Sequence, residues 1–319
     1  MTGPRLVMLL ASLALAAAAY EVDGAQACAG IGRGGRVSVR GEEALIVWDE
    51  ARQVEHFVRR AYFDGQREDF GFLVPTPTQP QLAEEPVAVF ARLFSLYRAP
   101  LRRDARSRSR STSSGGGARA SADVLVLEET TVAGMDAAVL QASDANALDT
   151  WLTAHGYPHS AELRDYVRPY VDAQWIITAF RISPGAAGGS FSTSAVRMSF
   201  ATPRPFFPYS EPLEVLMERR HFRVSIAAPH RMAAYLDRPS GGAREAWRAP
   251  AYAGRPAGLH GALSQSLPPA SPDGGRTIAG PWLTTFDEPE SQRGRLDLFF
   301  ERDRAQRAIT SRITRAVRP

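Results

Sequence analysis

The stretch "RVSVRGEEALIVWDEARQVEHFVRRAYF", Arg36–Phe63, sets the fold class. Arg36 to Arg40 alternates apolar and polar residues, as a half-buried strand does. Ala44 to Trp48, "ALIVW", is apolar throughout and reads as a strand covered on both faces. "WDEARQ" turns the chain. Val54 to Phe63 alternates again, with Val54, Val58 and Tyr62 on one face and Phe57, Ala61 and Phe63 on the other. Asp64-Gly65 is a second turn signal. Strands joined by connections this short pair antiparallel. Phe70 to Val74, "FGFLV", then predicts a further strand of the same meander.

That strand lies inside "EDFGFLVPTPTQP", Glu68–Pro80. Phe70, Phe72 and Val74 should pack on one face and Leu73 on the other. Proline lacks the amide a ladder needs and holds φ near −65°. Pro75 and Pro77 are therefore expected to end pairing and lead, extended, to a helix whose first turn Pro86 suits. Val87, Phe90, Ala91, Phe94 and Tyr97 repeat at helical spacing, and Pro100 closes the helix.

Further along, "VLVL" at 124–127 is a strand. Asp144 is placed to cap a helix carrying Leu148, Trp151 and Leu152, with Gly156 as its stop. Leu163, Tyr166, Val167 and Tyr170 form the stripe of a second helix. "WIITAFRI", Trp175–Ile182, has the β-branched and aromatic content of a central strand. "SAVRMSF", "LEVLM", "FRVSI" and "LDLFF" are further strands. Strands outnumber helices, so the fold class is α+β: an antiparallel β-sheet-rich body with a few packed helices. The expected organisation is a signal peptide at 1–27 and a main domain at 28–236. An irregular Gly/Pro-rich segment at 237–276 follows, in which Trp247 and Tyr252 pin the chain to the body. A terminal strand with a basic tail, 277–319, packs on the main domain.

The first residues carry an export pattern. Met1–Arg5 is short and basic, Leu6–Ala19 is continuously apolar but too short to span a bilayer, and Ala25-Gln26-Ala27 has the small-x-small form of a cleavage site. Cleavage after Ala27 leaves Cys28 first. Cys28 is the single cysteine of the chain, so no internal disulfide forms. A cysteine at that place also raises lipidation. Ala25 and Gln26 stand where a lipobox has Leu and a small residue, which favours ordinary export over a lipid anchor at Cys28. The expected location is periplasmic or extracellular, with no transmembrane span in the mature chain.

All 38 basic residues are Arg, and the formal net charge is +4. A GC-rich genome explains that bias. Selection for bidentate anion binding would require Arg gathered at one place. "RRDARSRSRSTSSGGGAR", Arg102–Arg119, reads as a disordered loop. With an export signal it does not point to nucleic acid; contact with anionic envelope surfaces is its functional reading.

The familiar chemistries fail on spacing. His155 and His159 have Gly156 and Pro158 beside them, so no helix presents both to zinc. A Walker loop needs Lys. "GIGRGG", Gly30–Gly35, leads into a strand, the wrong context for a phosphate loop. "GGSFS", Gly188–Ser192, lacks the last glycine of a nucleophile elbow. A cysteine nucleophile would have to be Cys28. Paired acids remain, among them Glu42-Glu43, Asp49-Glu50, Glu68-Asp69, Glu84-Glu85 and Glu128-Glu129. Neighbours on a strand point to opposite faces, so most are expected at solvated turns or caps. No cofactor, metal or catalytic residue is indicated.

"ALIVWDE", "AYFDGQREDFGFLVPTP", "WLTAHGY" and "YVRPYVDAQWIITAFRI", after an export signal and Cys-Ala-Gly at Cys28, resemble a bacterial family of exported proteins, domain of unknown function 2330. The most specific block is Asp69, Phe70, Phe72, Leu73, Val74, Pro75 and Pro77, read above as a structural junction. The resemblance implies an extracytoplasmic location and offers no catalytic residues. One cysteine stands where members often have more, and the C-terminal anchor of some members is missing. The resulting expectation is a non-catalytic binding or scaffolding protein of the cell envelope, with an unknown envelope partner or ligand. Its rivals are a hydrolase whose carboxylates are assembled by folding, and adhesion to anionic surfaces through Arg-rich segments.

Overall fold

The computed structural model describes residues 38–64, 71–98, 124–157, 162–182, 191–192, 194–212, 219–263 and 280–318. In chain order the elements are β1 (Ser38–Asp49), β2 (Val54–Asp64), β3 (Gly71–Thr76), β4 (Gln81–Glu85), α1 (Ala88–Tyr97), β5 (Val124–Val132), β6 (Met135–Ala142), α2 (Ala145–Ala154), α3 (Leu163–Asp172) and β7 (Ile176–Ile182). They continue with β8 (Phe191–Ser192), β9 (Ala195–Ala201), β10 (Phe206–Phe207), β11 (Arg220–Ala228), β12 (Met232–Asp237), β13 (Glu245–Ala246), β14 (Tyr252–Gly254), α4 (Leu259–Leu263), β15 (Trp282–Ser291) and β16 (Asp297–Arg302). The protein is α+β.

Among the described residues the strands form three sheets. The largest runs β14-β15-β11-β1-β2-β9-β4, with β8 also on β2. The second is β3-β7-β6-β5 and the third β10-β16-β12-β13. Pairing is antiparallel except between β1 and β11. One face of the large sheet, with Ile46, Trp48, Phe57, Val224 and Phe286, packs on Phe72, Val74 and Phe180 of the second sheet and Phe206 and Phe299 of the third. Its other face, with Leu45, Val47, Val58 and Leu283, is covered by α1, α4 and Ile313. The far face of the second sheet, with Leu73, Leu140 and Ile177, is covered by α2 and α3. Helices, sheet, sheets and helices thus lie in four layers. "ALIVW" is apolar throughout because both faces of β1 are buried.

The structure corrects the reading of the N-terminal strands. Residues 38–40 and the run at 44–48 belong to one twelve-residue strand, Ser38–Asp49, with a register shift between Val39 and Gly41. Glu42 and Glu43, taken as turn residues, continue it because arginines neutralise them inside the protein. The meander also stops at β2. The next position in the large sheet belongs to β9, and β3 joins the second sheet instead. A strand with no polar face needs cover on both sides. There Phe72 and Val74 enter the central core while Leu73 enters the helix-covered one.

Pro75 does not end pairing. β3 runs through Pro75, opposite Ile177, to Thr76, opposite Ile176. It is an edge strand, where proline can turn its amide-less side outward. Pro77 lies just beyond. Gln81–Glu85, read as extended linker, forms β4 against β9. Asp69 and Phe70 lie outside the described residues, as do Ala27, Cys28, Arg102–Arg119 and "LEVLM".

Helices α2 and α3 agree with their signals, whereas α1 begins at Ala88, beyond Pro86, and buries Val89, Phe90, Leu93 and Tyr97 while Val87 and Ala91 of the expected stripe are exposed. The Asp144 carboxylate accepts from the Asn146 and Ala147 amides at 2.8 and 2.9 Å. Gly156 follows the end of α2 at φ +69°, a conformation glycine adopts without strain. Trp247 packs on Tyr209, Phe222 and Phe286, and Tyr252 on Tyr97. The segment between β12 and β15 carries β13, β14 and α4, and β15 itself was missed. Residues 303–318 form an irregular strap. Ile309 bridges Ala253, Ile313 and Val317 are buried, and the Arg315 carbonyl accepts from Arg223 at 2.7 Å. Among the described residues no helix is long and apolar enough to cross a membrane.

Candidate functional site: a cleft beside a buried aspartic acid

Helix α3 has one apolar stripe, Leu163, Tyr166, Val167 and Tyr170, which fastens it to the second sheet. Pro169 within it has no N–H, which releases the Asp165 carbonyl from the helical ladder. The helix therefore presents a polar, loosened face on its other side. Opposite, β12 ends at Asp237 and turns through Gly241 and Gly242, at φ +78° and +93°. Strand β16 begins at Asp297 beside this turn. Between them lies a cleft of about 780 Å³. Asp165, Arg168, Pro169 and Asp172 of α3 line one wall; Arg238, Ser240 and Ala243 of the turn line the other. Tyr170, Ser210, Arg295 and Asp297 complete it.

Asp297 is fully buried at the base. Its Oδ1 accepts from the Tyr170 hydroxyl at 3.0 Å and the Ser210 amide at 2.9 Å. Its Oδ2 has no hydrogen-bond partner among the described residues. Burial pushes the carboxyl up to about 7, against the opposing pull of these donors and of Arg293. Asp237 stands opposite Asp297 in the β12–β16 register. Such partners have Cβ atoms about 4.5–5.5 Å apart. Asp237 behaves differently: although burial opposes it, the Ala243 and Arg238 amides and Arg204 hold it below its usual range. One cross-strand pair thus holds two acids shifted in opposite directions, Asp297 up by burial and Asp237 down by its donors.

A smaller cleft of about 40 Å³ shares Asp165, Pro169, Ser210 and Arg295 and reaches Glu211. From Glu211 an ionic network enters the core. Glu211 pairs with Arg220 and lies 3.4 Å from Arg293. Arg293 bonds Glu42, whose other oxygen accepts from Arg59 at 2.6 Å. The Arg293 guanidinium lies 4.7–5.2 Å from the centroids of Phe222, Tyr209 and Phe207. Burial alone would raise the pKa of Glu42, but three guanidiniums hold it at about 2. Arginine is gathered here, as an Arg-selective role requires, but around the protein's own carboxylates.

The acid pairs are therefore not all solvated. Glu42 and Glu43 point to opposite faces of β1, each into its own arginine group. Glu43 takes Arg60 at 2.8 Å, with Arg223 at 3.7 Å, and Asp287 takes Arg223 and His221 at 2.8 and 2.7 Å. Glu85 is buried on β4 with Arg197 at 3.8 Å, not at a helix start. Asp49 is buried and bound twice by Arg52. Glu50 and Glu84 are exposed, Glu128 and Glu129 half-buried, and Glu68-Asp69 lies outside the described residues. His155 ends α2, stacked on Trp151 at 4.0 Å; His159 and Gly188–Ser190 are not described. His56 meets Ser199 at 2.9 Å, a nucleophile–base contact that spacing could not reveal. Asp49, its nearest acid on β1, is occupied by Arg52. Among the described residues no group of three His, Cys, Asp or Glu is placed to hold a metal.

Fold and site define a four-layer α+β protein with a polar cleft over a buried acid. The sequence model of DUF2330, described as an uncharacterized protein conserved in bacteria, matches residues 22–256, and the chain belongs to that family. The earlier resemblance is thereby established. No curated protein matches the chain. Among solved structures, baculovirus P35 is similar at a TM-score of 0.38 and 7% identity over 61% of this chain and 65% of that one. This chain spans less than two thirds of P35, and at that level the likeness assigns neither fold nor function.

Proposed function

We propose that the protein is an exported, non-catalytic binding protein of the bacterial cell envelope, and that its ligand is a small polar molecule seated in the cleft between α3 and the start of β16. Export rests on the Met1–Ala27 pattern. Binding rests on one observation: a cleft of about 780 Å³ whose lining gathers charged and hydroxyl side chains from α3, the turn after β12 and the start of β16. Small-molecule sites have volumes of about 300–1,000 Å³ and a few converging polar groups. The test is a thermal-shift screen of the purified protein against envelope-derived sugars, organic acids and phosphates. Ser240→Trp, which fills the mouth, should abolish any shift; a shift that persists in Ser240→Trp would place the ligand elsewhere.

A second reading, an envelope hydrolase, draws on the same residue. A carboxyl near pH 7 suits a general acid. Turnover of a glycoside or ester panel, lost in Asp297→Asn with the melting temperature not lowered, would favour it; absence of turnover with ligand bound favours the binding protein.

A further inference from the structure

Which ligand the cleft takes follows from the charges that line it without partners, and the inference rests on the cleft being the binding site. Elsewhere in the fold acids and arginines that come close bond one another, as Glu42 does with Arg59 and Glu43 with Arg60. In the cleft, Arg168 is bonded to Asp165 at 3.1 Å, which occupies both. Three charged side chains of the lining remain exposed: Asp172, Arg238 and Arg295. None has an ion-pair or side-chain hydrogen-bond partner among the described residues. Asp172 is the last residue of α3, Arg238 opens the turn after β12, and Arg295 stands just before β16. The acid thus belongs to the helix wall and Arg238 to the opposite one, and the two do not close into a pair across the cleft.

The end of the helix adds to this polarity. The backbone dipoles of α3 place partial negative charge at its last turn, where Asp172 sits, and that end favours a cation. Guanidinium groups only donate, so Arg238 and Arg295 favour an anion. Ser210 and Ser240 add hydroxyls to the lining, and Pro169 and Pro239 add apolar surface.

We infer that the cleft takes a small zwitterion, a free amino acid or a short peptide, with its ammonium at Asp172 and its carboxylate at Arg238 and Arg295. The ammonium has three donors for the Asp172 carboxylate and the helix carbonyls beside it. The carboxylate has two oxygens for two guanidiniums. A simple anion would leave Asp172 unused beside it, a simple cation would face two unpaired guanidiniums, and a neutral sugar would use neither sign. Asp297, enclosed beneath the cleft, keeps its bonds to Tyr170 and Ser210. The two sources differ in reach. An amino acid carries both charges on one carbon, and each added residue separates them by up to about 3.3–3.6 Å.

Calorimetry of the purified full chain at pH 7 with L-alanine, di-L-alanine and tri-L-alanine tests the inference. At least one should bind, and the tightest identifies amino acid or peptide. For that probe, N-acetylation removes the cation and C-amidation the anion; each should weaken binding about tenfold, as loss of a charge-assisted bond does. The variants separate the two ends. Asp172→Asn should bind the free and acetylated probes alike and still prefer the free acid to the amide. Arg238→Ala combined with Arg295→Ala should do the reverse. All three side chains are exposed, so the melting temperature should not change. Failure of all three probes at about 10 mM overturns the inference. So does wild-type protein that binds the acetylated or amidated probe as well as the free one, or discrimination that survives in the variants. If a sugar or organic acid binds instead and Ser240→Trp removes it, the cleft remains the site and the zwitterion inference alone falls. If a zwitterion binds equally well to Ser240→Trp, the cleft falls with it.

Discussion

Replacing Glu42 by Gln removes one negative charge from a site with no access to water. Glu42 is 0% exposed. Arg59 donates to its Oε1 at 2.6 Å, Arg293 to its Oε2, and Arg220 lies 3.8 Å away. Glutamine keeps the shape but removes the charge that Arg59, Arg220 and Arg293 share, and Glu211 reaches only Arg220 and Arg293. The fall of the Glu42 pKa from 4.5 to about 2, at about 1.4 kcal/mol per pH unit, corresponds to about 3 kcal/mol favouring the charged form. Breaking a buried ion pair by removing one partner loses about 3–5 kcal/mol. Both routes predict that E42Q is about 3–5 kcal/mol less stable at pH 7. The sign with pH follows from a depressed folded-state value: the contribution is present above pH 4.5 and is lost as pH falls toward 2. Equilibrium denaturation in urea at pH 7, 5 and 3 should therefore show the two proteins converging. Glu245→Gln, on an exposed strand, should stay within about 0.5 kcal/mol of wild type throughout. A loss below about 1 kcal/mol for E42Q at pH 7, or a difference that does not shrink with acid, refutes this account.

Asp297 has the opposite sign. Its folded value, raised from 3.8 to about 7, carries no penalty below pH 3.8 and a complete one above pH 7, so Asp297→Asn should gain up to about 4 kcal/mol at pH 8 and almost nothing at pH 4 in urea titrations. Ending the chain at Gly275 removes β15 from between β14 and β11 along with β16 and the strap; no cooperative melting transition should remain, although the family match ends at 256. A Cβ on Gly41 would lie 2.7 Å from Val317 Cγ1 and 3.2 Å from the Arg318 carbonyl. Gly41→Ala should lose about 1–3 kcal/mol, and a cycle with Val317→Ala should show favourable coupling above about 0.5 kcal/mol.

The three layers of apolar packing explain why the acid and arginine clusters can exist at all. Each is enclosed by a sheet face and by rings or an arginine stem. Arg223 lies over Phe94 and Tyr97, at 5.6 and 5.9 Å from their centroids, and Arg293 is enclosed by three aromatics. With water excluded, each carboxylate needs a guanidinium nearby, and the geometry of β1, β2 and β11 supplies one on either face. Arginine suits these places because its planar fork serves two acceptors at once. The Arg-only composition is thus compatible with the core, whatever produced it.

What the sequence determined by itself was local. Periodicity locates α1, α2 and α3, and Asp144 and Gly156 mark the ends of α2. Apolar runs and alternation define β1, β2, β3, β7, β9, β11 and β16. The alternation of Phe72, Leu73 and Val74 correctly divides two cores, because side-chain direction depends only on the pleat. Partner choice was a tertiary matter. Nothing local to "FGFLV" says that it leaves the meander, or that Pro75 stays paired because its strand is an edge. Glu42 and Glu43 look like turn residues until Arg293 and Arg223, far along the chain, arrive beside them. The candidate site was equally hidden. Tyr170, Ser210, Asp237 and Asp297 come from separate elements, and each alone is an ordinary polar residue at the end of a strand, helix or turn. Only packing α3 against the start of β16 encloses Asp297, and that burial raises its pKa.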